Sequence, residues 1–204
     1  MLRFIAQFIS FALHPLLIPT WLFALLLYFQ PSSIYPAQVW GLISILVFFG
    51  MTFFLPVINL VFFRMTGIIQ SFKMIDRRER VLPSVLITVV YAVISFMFYW
   101  KVPMPVFFKL MSIVTLLSLT VTMANFFFKI SAHAVGMSGL AGILLLMATL
   151  SSASELIVPA LVVIVLAGFT MSSRLLLNAH TLNEVGWGGI LGFAVAVMGM
   201  LVLF

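Results

Sequence analysis

Apolar residues in this chain run on in long blocks, with neither the alternation of a half-buried strand nor the single stripe of a surface helix. The blocks are Ile5–Phe29, Val39–Phe63, Leu82–Trp100, Pro105–Phe128, Ala134–Leu150, Leu156–Met171 and Val185–Phe204. A bilayer-crossing helix needs about 20 such residues. Hydrocarbon offers no partner to backbone N–H and C=O groups, so the blocks are expected to be helices. Their continuous Leu, Ile, Phe, Val and Met content argues against barrel strands. The predicted fold is an all-α, polytopic transmembrane bundle of six to seven spans, one domain over residues 1–204. Pro15, Pro19, Pro56 and Pro159 fall inside blocks and are expected to kink them. Tyr28, Tyr35, Trp40, Tyr99 and Trp100 fall near block ends, where amphipathic rings favour the interface. The first block is too long for a signal-peptide core and lacks a clear cleavage site, so it is read as a retained span.

Composition narrows the class. Hydrophobic residues make up 65% of the 204 and charged residues 7%, against about a quarter charged in a soluble domain. That excludes a soluble fold. The net charge of +6 is read as membrane-edge cations facing anionic headgroups or substrates, with no nucleic-acid partner. Cysteine is absent, so disulfides and thiolate metal sites are ruled out. The expected location is integral to a membrane, a bacterial plasma (inner) membrane.

The few charges cluster. Lys73, Asp76, Arg77, Arg78, Glu79 and Arg80 share one short window, Lys129 and His133 a second, and Arg174, His180 and Glu184 a third. Ionisable groups near lipid are costly, so such clusters are functional candidates. Two spans separate each window from the next. An even number of crossings returns the chain to one side, so the windows should meet at one membrane face. Arg77 and Arg78 are expected to be interfacial anchors paired with Asp76 and Glu79. His14, inside the first block beside Pro15, is expected to be a packed polar residue. Gly136, Gly139 and Gly142 offer close helix packing.

The strongest pattern is Ser173-Arg174-x5-His180-x3-Glu184. On a helix, His180 and Glu184 share a face. A carboxylate there can hold one imidazole nitrogen and leave the other free as nucleophile or base. With Lys73-x6-Arg80 and Ser131-Ala132-His133 before it, the order resembles that of the type 2 phosphatidic acid phosphatase superfamily of membrane lipid phosphatases, whose motifs read K-x6-R-P, P-S-G-H and S-R-x5-H-x3-D. The resemblance covers roughly residues 70 to 190. In this chain Pro83 comes three residues after Arg80, Ile130 and Ala132 stand for Pro and Gly, and Glu184 stands for Asp.

The resemblance implies a metal-independent phosphatase with no cofactor and a lipid phosphate as substrate. Lys73, Arg80 and Arg174 would bind the phosphoryl group, and Ser131 would donate a hydrogen bond to it. His180 would attack phosphorus, oriented by Glu184. His133 would protonate the leaving alcohol and then activate water. Other readings of the same charges are a transporter or lipid-binding protein that captures anions, and an inactive relative. Phosphatidic acid, phosphatidylglycerophosphate, polyprenyl phosphates or diphosphates and lipid A phosphates all fit the pattern. The excess of Lys and Arg on the motif face points to the cytoplasm, whereas relatives face the periplasm or lumen; both orientations stay open. No feature of the sequence points to an oligomeric state.

Overall fold

The computed structural model describes residues 1–204 apart from Tyr35, Pro36, Lys73, Ile75, Val102, Pro103, Ser151 and Ser152, and of Ala37 and Gln38 the backbone only. The helices are α1 (Leu2–Ala12), α2 (Ile18–Phe29), α3 (Ala37–Trp40), α4 (Leu42–Phe49), α5 (Leu55–Met65), α6 (Arg78–Trp100), α7 (Pro105–Phe127), α8 (Ala132–Leu150), α9 (Ile157–Leu176) and α10 (Leu182–Leu203). No strand occurs among the described residues. Seven helical segments among them are long and apolar enough to cross a membrane. The protein is therefore an integral membrane protein with an all-α polytopic bundle. Tyr35 of the interfacial aromatics lies outside the described residues. Tyr28, Trp40, Tyr99 and Trp100 are all exposed, as rings anchored at a headgroup boundary would be.

Pro15, Pro19 and Pro159 stand at helix starts, whereas Pro56 lies within the continuous helical segment Leu42–Met65. Pro15 divides the first block. His14, the residue before it, is held extended at φ −63° and ψ 137°, and a 3-10 turn over Pro15–Leu17 intervenes before α2. Steric conflict with the proline ring keeps a preceding residue out of the helical region, so the block becomes two helices. α1 leans on α9, while α2 packs against α4 and α8. Pro19 and Pro159 sit in the first turns of α2 and α9, where an N–H has no intrahelical partner to lose.

Pro56 follows a π-helical turn over Gly50–Phe54 that joins α4 to α5. Lacking an N–H, it cannot serve the carbonyl four residues earlier, that of Thr52. Tyr91 of α6 donates its hydroxyl to that carbonyl at 3.1 Å. Thr52 also shares a hydrogen bond with Thr20 of α2 at 3.0 Å. The carbonyl that the proline leaves open thus ties this span to α6, and the Thr52 hydroxyl ties it separately to α2.

The centre of the bundle is α8, which packs against α10, α9, α7 and α2. Its closest neighbour is α10. A Cβ at Gly192 would lie 2.7 Å from Val135 Cα, and one at Gly188 would lie 2.9 Å from the Ser131 carbonyl oxygen. Only glycine lets the two backbones approach this far. A hydrogen bond from Ser131 N–H to the Glu184 carbonyl, 3.1 Å long, joins the starts of the two helices. The local consequence is functional: α8 and α10 begin at the same level, each carrying one of the motif histidines at or beside its first turn.

Candidate active site

Four of the expected residues line one cavity of about 1020 Å³: Arg80 from α6, His133 from α8, Arg174 from α9 and His180 from the α9–α10 connection. Lys129 lines it too. Lys73 lies outside the described residues. The windows that lie far apart in sequence therefore come to one end of the bundle.

The α9–α10 connection explains the spacing of the third motif. α9 ends at Leu176, and Asn178 takes φ 51°. Its N–H donates to the Leu175 carbonyl at 2.9 Å, and that of Ala179 donates to the Arg174 carbonyl at 3.1 Å. This is a Schellman stop with asparagine in the left-handed position. Thr181 then caps α10 in a capping box. Its Oγ1 accepts the Glu184 N–H at 3.3 Å, and Glu184 Oε2 accepts the Thr181 N–H at 3.4 Å. His180 is thus outside any helix, which corrects the shared-face expectation. It meets Glu184 because the capping box folds that carboxylate back over the helix start. His180 Nδ1 donates to Glu184 Oε2 at 2.6 Å. The Thr181-Leu182-Asn183-Glu184 signature of a capping box is legible in the sequence beside the helical spacing.

Glu184 serves a third partner. Lys129 Nζ lies 3.6 Å from Oε2 and donates to the Ala179 carbonyl at 3.1 Å. The lysine charge is therefore largely matched. The two guanidinium groups differ: among the described residues neither Arg80 nor Arg174 forms an ion pair with a carboxylate. Arg80 donates Nε–H to the Met74 carbonyl at 2.7 Å. Arg174 Nε is buried with no partner among the described residues. Arg174 also sits in the last turn of α9, where the helix dipole favours a cation. Two unmatched forks in a half-buried cavity attract an anion, and a planar fork suits phosphate. Burial holds the His180 imidazole below its ordinary pKa, and the Arg80 and Arg174 charges push the same way, against the Glu184 hydrogen bond. His180 is consequently neutral near pH 7, with Nδ1–H on Glu184. Its Nε2 makes no hydrogen bond among the described residues.

His133 donates Nε2–H to the Ser10 carbonyl at 3.0 Å. Its ring stands edge-on to that of His14, with centroids 5.3 Å apart and planes at 81°. His14 lines the cavity; the expectation of a merely packed polar residue missed this placement. The His-Pro pair at a span break was the available signal.

Ser131 is fully buried, and its hydroxyl accepts the Ala134 N–H at 3.4 Å as the cap of α8. It is not among the cavity-lining residues. The expected pairing within Lys73–Arg80 is also absent among the described residues: Arg77 donates to the Phe127 carbonyl, Asp76 accepts the Arg78 N–H at 3.0 Å, and Glu79 accepts the Gln70 N–H at 3.3 Å.

Away from this polar end the cavity is lined by Leu22, Val57, Ile87, Val114, Leu140 and Ile143. From His133 to Ile143 along α8 is about 15 Å at 1.5 Å per residue, half of a hydrocarbon core of about 30 Å. A second groove, of about 1170 Å³ between α6, α7 and α10, carries no Lys, Arg, His, Asp or Glu among its lining residues and offers no cation to an anion. No family model, curated protein or solved structure matches the chain.

Proposed function

We propose that this protein is a metal-independent lipid phosphate phosphatase of the type 2 phosphatidic acid phosphatase kind, working through a phosphohistidine on His180. A bacterial plasma membrane is the setting that goes with this reading. One observation carries it. His180 is held through Nδ1 by Glu184 at 2.6 Å, on the wall of a cavity it shares with Arg80, Arg174 and His133. The apolar arm of that cavity favours a lipid over a soluble phosphate ester.

The chemistry follows from the tautomers. With its proton on Nδ1, His180 keeps the Nε2 lone pair for attack on phosphorus. As the P–N bond forms and the P–O bond breaks, charge spreads over three equatorial oxygens. Arg80 and Arg174 face that charge with donors already in place. Glu184 supports the imidazolium that forms on His180. His133 has Nε2–H committed to Ser10, so it enters this step as an imidazolium, its second nitrogen protonated beside the bound phosphoryl anion, and Nδ1–H goes to the leaving alkoxide as the P–O bond breaks. Neutral afterwards, the same Nδ1 takes a proton from the water that attacks the phosphohistidine, and the P–N bond breaks to give phosphate. Ser131, held as a helix cap, takes no part in this scheme.

The test uses the purified full chain in detergent with EDTA present. A lipid phosphate should release phosphate, and rapid quenching should trap an acid-labile phosphoenzyme that His180→Ala lacks. Binding of lipid phosphates and diphosphates without release of phosphate from any would instead mark an anion-binding protein, a transporter or an inactive relative. A phosphoenzyme that persists in His180→Ala and disappears in His133→Ala would reverse the two histidines.

A further inference from the structure

Neither the motif windows nor the scheme above uses His14, yet it stands in the wall of the same cavity. The break before Pro15 puts it there, with the ring beside His133. The ring's two nitrogens have different surroundings. Nδ1 accepts the Leu16 N–H at 3.3 Å and so caps the 3-10 turn. In a neutral ring the proton is then on Nε2. Nε2 makes no hydrogen bond among the described residues. Two other side chains on the cavity wall also hold buried polar atoms without a partner among those residues: Ser10 Oγ and Asn125 Oδ1, in residues 7% and 3% exposed. Ser10 is anchored to this end of the cavity by its carbonyl, which holds His133. A wall with an uncommitted donor and two unpartnered polar atoms, next to two unmatched guanidinium groups, is built to meet a polar ligand.

From this placement we propose that His14 is a ligand-binding residue that donates Nε2–H to a tetrahedral oxyanion held between Arg80, Arg174 and His133. The ligand class is a phosphoryl group or its analogue orthovanadate. The proposal rests on the reading of the cavity as an oxyanion site. A purely structural His14 needs only Nδ1, whereas the ligand needs only Nε2, and two substitutions separate these. In His14→Asn the amide oxygen occupies the place of Nδ1 and keeps the cap, as asparagine does at helix starts, but no donor reaches the place of Nε2. In His14→Gln the amide nitrogen reaches the place of Nε2 and the cap is lost.

Orthovanadate binding to the purified full chain in detergent is measured by calorimetry, alongside the thermal midpoint without ligand. The expected pattern is crossed. His14→Asn keeps the midpoint and loses about tenfold or more in vanadate affinity, the scale of one hydrogen bond to a charged group. His14→Gln lowers the midpoint and keeps affinity within roughly threefold. Vanadate affinity that follows the cap, retained in Asn and lost in Gln, overturns the proposal, as does unchanged affinity in both. Should the unsubstituted chain bind neither vanadate nor phosphate, the oxyanion reading itself fails and this proposal falls with it. Loss of binding in Arg174→Ala with both His14 variants unaffected leaves that reading standing and rejects the role of His14 alone.

Discussion

α8 and the α4–α5 span meet the membrane in opposite ways. The α4–α5 span is the more hydropathic, yet 17% of its most apolar stretch is buried in protein against 72% for α8. Lipid tails satisfy Leu and Phe as well as a neighbouring helix does, so hydropathy finds spans without saying which face protein. α8 is central because its small residues let neighbours come close. Val135 lies under Gly192, and a Cβ at Gly142 would stand 3.0 Å from Ala196 Cβ. α4 and α5 present Leu46, Val47, Ile58 and Phe62 outward. The proposed site lies on the side with small residues, where α8 and α10 pack closely beside His133 and His180.

If that contrast is right, the largest effects belong to the α8–α10 end. His180→Ala should reduce turnover by roughly 10³-fold or more and abolish the phosphoenzyme seen in rapid quench, with the thermal midpoint little changed. Arg174→Lys should lower kcat/KM by about 100-fold, because one ammonium does not reproduce a fork aimed at the transition state. Gly192→Leu should drive the side chain into Val135 and cost about 3 kcal/mol, read as a lower thermal midpoint with loss of vanadate binding. Gly168→Ala, where nothing lies within 4 Å of a Cβ, is its control. A midpoint unchanged by Gly192→Leu would break the comparison.

The pH dependence sharpens it. In the proposed reaction Nε2 attacks only when His180 is neutral, and burial and the two arginines depress its pKa from 6.5. The acid limb of kcat/KM should therefore lie below pH 6.5. Arg80→Gln should move the limb up by removing a cation, and Glu184→Gln should move it down by removing the carboxylate. The same shift gives a sign for stability. The unfolded chain takes up the proton near pH 6.5 and the folded chain only lower, so His180 costs no stability above that pH and destabilises as pH falls below it. Midpoints of the protein and of His180→Ala across that range measure the difference.

Effects at the α4–α5 span should be smallest. Tyr91→Phe leaves the Thr52 carbonyl without its side-chain donor and should cost about 1 kcal/mol. Ile58→Ala, on a lipid-facing surface, should stay within about 0.5 kcal/mol. A larger loss at Ile58 would place α5 against protein and undo the contrast.

Span positions, the all-α class and the grouping of charges at block ends are local properties of consecutive residues, and the sequence by itself determined them to within a few residues. The Ser173-Arg174-x5-His180-x3-Glu184 spacing was legible too, since a Schellman stop followed at once by a capping box has a set length. The capping box that brings His180 to Glu184 is equally local, although a helical face would place residues four apart in contact alike, so what was left to the tertiary structure lies elsewhere. It alone decided that Ser131 caps α8 away from the cavity and that His14 enters it. It also matched Arg77 to a carbonyl of α7 in place of a neighbouring carboxylate. Each of these depends on which helix lies alongside which. Lipid accepts any apolar face, so that choice rests on glycine contacts and hydrogen bonds between residues far apart in the chain, beyond the reach of periodicity or local charge.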